Sequence, residues 1–177
     1  MFATPVGAPA NSVSWRIQGR RGGEGATDAL RGPYNEGGLF GEREGWPDSD
    51  GRDSQWTPTS LPAADRAPGV TWYRTDIVLA LPKDQDTSIG IQIKDPRECH
   101  YRAILFVNGW HMGNYVSDAG PQHTFPIPNG VLHPQGKNSI VMAVWKIDES
   151  EGDLGEVSLI NYGSYKSGLA IPAAPRR

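Results

Sequence analysis

The sequence predicts an all-β fold, a sandwich or barrel, on three observations. No stretch of ten or more residues free of Gly and Pro places apolar side chains at i, i+3, i+4 and i+7, so the amphipathic-helix signal is almost absent. Short runs rich in Val, Ile, Thr, Tyr and Trp recur instead, bounded by Gly, Pro, Asn and Asp. Two of these runs flank Asn108-Gly109, a pair that supplies the positive φ values of a two-residue type I′ turn and so marks a β-hairpin.

Taken in order, residues 12–18 (SVSWRIQ) form the first expected strand, with Val13, Trp15 and Ile17 on one face. Residues 69–81 (GVTWYRTDIVLAL) form the longest, with Tyr73, Ile77, Leu79 and Leu81 sharing a parity. Residues 87–94 (TSIGIQIK) alternate Ile89, Ile91 and Ile93 with small or polar partners, the pattern of a half-buried strand. Residues 101–107 (YRAILFV) and 110–116 (WHMGNYV) make the hairpin, followed by a short strand at 123–127 and a strong one at 138–147 (NSIVMAVWKI). The last covers 156–161 (EVSLIN), with room to extend to Tyr165. Between Gln18 and Pro68 lies a long Gly/Asp-rich stretch carrying Trp46 and Trp56. A structureless loop of that length is unusual in a compact domain. It is expected to wrap a sheet edge, with a short strand near Leu39–Glu42.

Composition narrows the function. The 177 residues carry 17 Lys+Arg against 20 Asp+Glu, a net charge of -3, without the basic surplus of a nucleic-acid binder. No apolar run approaches the ~20 residues of a bilayer-spanning helix, so neither nucleic acid nor membrane is expected as a partner. With 22 Gly and 15 Pro, about a fifth of the chain, the share stays below the roughly 25–30% typical of low-complexity disorder. One domain over residues 12–165 is expected, between flexible tails at 1–11 and 166–177; the second tail ends in the Ala/Pro-rich AIPAAPRR. Cys99 is the single cysteine, which excludes an internal disulfide and a multi-cysteine zinc site. The first residues, MFATPVGAPANS, lack the basic and long apolar regions of a signal peptide.

Three segments carry a family resemblance: residues 15–43 (WRIQGRRGGEGATDALRGPYNEGGLFGER), 69–76 (GVTWYRTD) and 101–131 (YRAILFVNGWHMGNYVSDAGPQHTFPIPNGV). In this order they resemble the jelly-roll domains towards the C-terminal end of large fungal β-galactosidases, glycoside hydrolases of family 35. The family pattern of GPxNEGGLxxERxGW, an extended strand, VNGxxxGxYV and GPQxxFPxPxGxL is matched by residues 32–46, 69–81, 107–116 and 120–132. The resemblance implies a jelly-roll β-sandwich of the galactose-binding-domain-like type. It implies as partner the catalytic barrel of a parent enzyme, and an extracellular location if that parent is secreted. The family's acid and nucleophile are two Glu on a separate barrel, which itself needs ~250 residues. No catalytic residue carries over to this chain, and no enzyme activity is expected of it alone. The chain departs from the family loop between Asp84 and His100, and it holds no Asn-x-Ser/Thr.

The residues themselves offer little chemistry. Retaining glycoside hydrolysis needs two carboxyl groups ~5–5.5 Å apart. Glu24, Glu36, Glu42, Glu44 and Asp53 are candidates by type, and Glu42 and Glu44 would share a face on a strand. Solvated or ion-paired carboxylates are the plainer account. Residues 148–156 (DESEGDLGE) are rich in oxygen ligands but lack the EF-hand order, and a charged exposed loop between strands is expected there. His100, His111, His123 and His133 have no metal-ligand spacing, and His111 and His123 are expected to line strands. Cys99 beside His100 is adjacency, not an activated thiolate. RGGEGA at 21–26 lacks the helix and Lys-Ser/Thr of a phosphate loop. No metal or other cofactor is expected.

The aromatics carry the one binding hypothesis. Trp15, Trp72 and Trp145 fall inside strands and suit the core, whereas Trp46, Trp56 and Trp110 lie beside turns. An exposed Trp can stack on a sugar ring while nearby polar groups bond its hydroxyls. Asn35, Arg43, Trp46 and Trp56 are therefore the candidate carbohydrate-binding residues for a β-galactoside or other glycan, with packing of the two Trp against the sandwich as the alternative. The expected function is a non-catalytic accessory domain that supports a barrel and borders a galactoside. An autonomous carbohydrate-binding module or lectin-like protein is the rival.

Overall fold

The computed structural model describes residues 14–19, 39–48, 56–63, 67–95, 99–149 and 152–166. The expected tails, apart from Lys166, lie outside these residues, as do Val13, Glu24, Glu36, Asp53, the 21–26 segment and Asn35.

Two antiparallel sheets face each other. Among the described residues nine strands run in chain order as β1 (Trp15–Gly19), β2 (Thr57–Thr59), β3 (Gly69–Ala80), β4 (Asp86–Lys94), β5 (Tyr101–Val107), β6 (Trp110–Val116), β7 (Thr124–Pro126), β8 (Gln135–Lys146) and β9 (Glu156–Tyr165). Six form a sheet of order β2-β1-β3-β8-β5-β6 and three form a sheet of order β7-β4-β9. Sequence neighbours are split between sheets: β3 pairs with β8 over twelve residues and β4 with β9 across the sandwich. The result is an all-β sandwich with long-range pairings at its centre.

Alternation builds the core. Tyr73, Ile77 and Leu79 of β3, Ile89, Ile91 and Ile93 of β4, and Tyr101, Ala103, Leu105 and Val107 of β5 meet between the sheets, with Ile140, Met142 and Val144 of β8. Leu81 joins them from just past β3, as the shared parity of residues 73–81 requires. The opposite parity of β8 is also buried: Val141 and Ala143 are fully enclosed, which is why residues 140–145 form one apolar run rather than an alternation. β8 is, with β3, one of the two central strands of its sheet, and it is covered on both faces.

One expected element is different. Residues near Leu39–Glu42 are not a strand but a single helical turn, α1 (Phe40–Arg43). The Glu42 carboxylate turns back to accept the Leu39 N–H at 2.8 Å, satisfying a donor that the turn leaves open. Gly41 presses on the sheet so closely that a Cβ there would lie 2.6 Å from the Trp72 ring, and Gly45, at φ 72, turns the chain out of the helix. With Glu42 committed to this bond and Glu44 beyond the turn, the two no longer share a strand face.

Candidate functional site

The most elaborate side-chain assembly lies on the outer face of the six-stranded sheet. β3 presents Val70 and Trp72 there, β5 presents Phe106, and β8 presents Val141 and Ala143. Over them sit Leu39, Trp46 and Trp56. Trp46 meets Trp72 edge-on at 5.5 Å, Trp56 at 5.8 Å and Phe40 at 5.7 Å, while Trp72 stacks on Phe106 at 6.0 Å. Edge-to-face and offset stacking are the favoured geometries for such rings.

A buried cation fastens this plug. Arg74 is 1% exposed, and its Nη1 donates to the carbonyls of Trp46 at 3.3 Å and Asp48 at 2.9 Å. Its Nη2 donates to Asp76 Oδ1 at 3.4 Å, and Asp76 also pairs with Arg16 and Lys137, each at 3.2 Å. Arg74 lies on β3 two residues from Trp72, so the strand that supplies the floor also supplies the anchor. In the sequence nothing local distinguishes Arg74 from a solvated charge on a strand; its burial is set by the plug above it.

The structure therefore brings Trp46 and Trp56 together, as the sugar-site hypothesis requires, but encloses them at 5% and 8% exposure. Neither offers a ring face to solvent. Arg43 is exposed in the last position of α1, and Asn35 lies outside the described residues. Trp15 and Trp72 are buried and Trp145 packs against the plug, all within strands.

The sequence motifs resolve into joints. Asn108 and Gly109 have φ 49 and 80, both positive as a type I′ turn demands. Asn108 Oδ1 accepts the Ser139 N–H at 2.9 Å, and its Nδ2 donates to Val131 O at 2.8 Å and Asn138 Oδ1 at 2.9 Å. Asn138, wholly buried, accepts the His133 N–H and donates to the carbonyls of His133 and Gly136. The VNG hairpin and the GPQHTFPIPNG return are thus tied through two asparagines.

A second polar node closes the sandwich at one end. Asp95 accepts Tyr101 Oη–H at 2.6 Å, Tyr115 Oη–H at 2.5 Å and the Gly155 N–H at 3.1 Å. Tyr115 Oη also lies 2.9 Å from His123 Nδ1. Burial first, and then the Asp95 carboxylate, hold both phenols well above the ordinary tyrosine range, so both stay protonated donors. His123 thus joins a network rather than simply lining a strand. The acidic 148–156 segment is not uniformly solvated either: Asp153 is 4% exposed, with Oδ1 accepting the Leu154 N–H and, at 3.4 Å, Tyr73 Oη–H. Among the described residues, no group of three or more His, Cys, Asp or Glu could hold a metal ion.

Two packed antiparallel sheets, with motif asparagines used as joints, define a β-sandwich domain. Residues 40–150 match the profile of the β-galactosidase second all-beta domain, and the chain belongs to that family. A protein named "Probable beta-galactosidase C" from Aspergillus fumigatus is 40% identical over 169 residues, covering 94% of this chain and 17% of its own length. Its namesake from Sclerotinia sclerotiorum is 39% identical over 159 residues, covering 89% and 16%. The chain thus spans about a sixth of the curated relatives it matches. In fold it is similar to part of the β-glucuronidase of Bacteroides uniformis, with a TM-score of 0.56 at 18% identity over 84% of this chain and 17% of that one.

Proposed function

We propose that this chain serves a β-galactosidase by buttressing its catalytic barrel, without taking part in bond cleavage. The observation that carries the reading is the extent of the match: 94% of this chain aligns with only 17% of a β-galactosidase-named relative, and a (β/α)8 barrel alone needs ~250 residues. Fold does not confer chemistry, and Glu42 is spent on capping α1. In this reading Trp46 and Trp56 are structural plugs, and any galactoside contact involving Arg43 or Asn35 is a rim contact. An extracellular location follows if the parent enzyme is secreted.

The test has two arms. The isolated chain should not turn over a chromogenic β-galactoside; turnover that survives repurification and vanishes on Glu42→Gln would overturn the non-catalytic role. The chain should bind the separately expressed barrel of the A. fumigatus relative, and the absence of any affinity would count against the buttress. The second reading, a carbohydrate-binding module, is favoured by one observation: Tyr162 and Tyr165 are exposed at 45% and 65% on the smaller sheet.

A further inference from the structure

We propose that the outer face of the β7-β4-β9 sheet is a glycan-binding platform centred on Tyr162, taking a short, neutral oligosaccharide. The site goes beyond the buttressing role and does not depend on it.

The face is built to present a ring. Ile89, Ile91 and Ile93 point into the core, so Ser88, Gly90 and Gln92 point outward, beside Ile160 and Ser158 of β9 and Pro126 and Thr124 of β7. Asn161 pairs with Ile89 and Gly163 with Ser88, so Tyr162 is an extra residue in a β-bulge. Bulges re-aim side chains and gather next to functional sites. This one is held by Asn161 Oδ1, which accepts the Gly163 N–H at 2.8 Å, and by Gly163 itself, at φ 133. The bulge lays the Tyr162 ring across β4, where Gly90 makes room: a Cβ there would lie 2.6 Å from Tyr162 Cε2. Tyr165 does the same over Gly163, its Oη 3.2 Å from where a Cβ would stand. Two tyrosines thus lie over glycines with a large share of each ring in solvent.

The surroundings select the ligand. Between Ser88 and Gln92 the outward positions are uncharged, which suits a polyol rather than a phosphate or an acidic chain. Asp86, at the Tyr165 end, accepts both bonds of the Asn129 amide at 3.0 and 3.1 Å, leaving carboxylate lone pairs for sugar hydroxyls. Gln92 Oε1 is buried under this face with no hydrogen-bond partner, an acceptor that an approaching hydroxyl would satisfy after a small side-chain shift. Size argues against a protein partner. β4 and β9 pair along nine residues and β7 adds three, so with strands ~4.8 Å apart and ~3.4 Å per residue the face spans on the order of 350 Å². A stable protein interface needs about 800 Å² per partner. A few sugar rings fit; a domain face does not.

The test is amide-resolved NMR titration of the 177-residue chain with β-1,4-galactotetraose, with cellotetraose as a second probe. Shifts at residues 88–92 and 158–165 are expected, weakened at least tenfold by Tyr162→Ala while the melting temperature holds. Gly90→Val, which displaces the ring without removing it, should weaken binding similarly, and Tyr162→Phe should largely keep it. No shifts with either sugar, shifts confined to residues 39–48, or binding indifferent to Tyr162→Ala would overturn the platform. Equal binding of both sugars would keep it, because the face is assigned to neutral oligosaccharides as a class. Loss of affinity for the barrel domain on Tyr162→Ala would make the face a domain contact and overturn the glycan assignment, whereas intact platform binding without barrel affinity would instead fail the buttress.

Discussion

The two outer faces of the sandwich solve the same problem in opposite ways. Each sheet turns one parity into the common core and is left with another facing out. The six-stranded sheet covers that parity with its own chain: Leu39, Trp46 and Trp56 lie over Trp72, Phe106 and Val141. Among the described residues the three-stranded sheet carries no such plug, and glycine and small polar positions lie there under two exposed tyrosines. The first face is apolar because it is buried by the fold. The second has the aromatic-plus-polar character of a surface meant to stay wet. An aromatic residue's place in a turn or strand does not say which kind it is; what lies over it does.

The largest expected effect is on the covered face. Trp72→Ala or Trp46→Ala should cost about 3–5 kcal/mol, the range for emptying a buried aromatic site. Chemical denaturation followed by far-UV circular dichroism reads it directly. Tyr162→Ala, on the uncovered face, should stay within about 0.5 kcal/mol, as surface substitutions do. Equal losses at Trp46 and Tyr162 would erase the distinction between the faces.

Next comes the fastening. Arg74→Met removes the donors to the carbonyls of Trp46 and Asp48 but leaves Asp76 paired with Arg16 and Lys137, so no carboxylate is stranded. Hydrogen bonds from a charged donor set the loss at about 2–3 kcal/mol. Tryptophan emission should also shift to the red as the plug loosens over the sheet. A loss of stability with unchanged emission would mean that Arg74 acts within the sheet and not on the loop.

The plug and the polar nodes mark what the sequence could and could not show. Strand positions were legible because period-2 alternation is local: Tyr101–Val107 and Trp110–Val116 were placed to the residue. β8 begins three residues before Asn138, since Gln135, Gly136 and Lys137 have weak strand preference and are held by pairing with Ala80, Leu79 and Val78. The helical turn at Phe40–Arg43 was missed because four residues, two of them charged, have no period to detect, and its cause is a glycine meeting a tryptophan 31 positions away. The family was legible in the NEGGLFGEREGW and GPQHTFPIPNG blocks. The burial of Trp46 and Trp56 was not, because enclosure is a tertiary fact.

The Asp95 node supplies a pH-dependent test at the end of the sandwich. The folded state holds Tyr101 and Tyr115 protonated to higher pH than the unfolded chain does. Their contribution is therefore fully present below the ordinary tyrosine pKa of about 10 and is lost as pH rises above it. Alkaline titration should show two tyrosines whose tyrosinate absorbance appears only with unfolding. Asp95→Asn should cost about 2 kcal/mol at neutral pH, the scale of a hydrogen bond to a charged acceptor. Phenols that titrate normally in the folded chain would dissolve the node.

The smallest effect tests the covered face against itself. Val78 shares its parity on β3 with Val70 and Trp72, so strand position alone would make it part of the same layer. It is nonetheless 62% exposed, four residues beyond Arg74, where the plug is fastened to the strand through the Asp48 carbonyl. If burial by the 39–48 segment sets the energetics, Val78→Thr keeps β-branching, changes one exposed methyl to a hydroxyl and should fall within about 0.5 kcal/mol. Val70→Thr, two positions from Trp72 and with no exposure at all, places the same hydroxyl in an apolar layer. It should cost about 1–3 kcal/mol for an unpaired buried polar group. The pair differs in what lies above the strand while the chemistry of the change is constant. Similar losses at both sites would move the source of stability from the plug back to the strand itself.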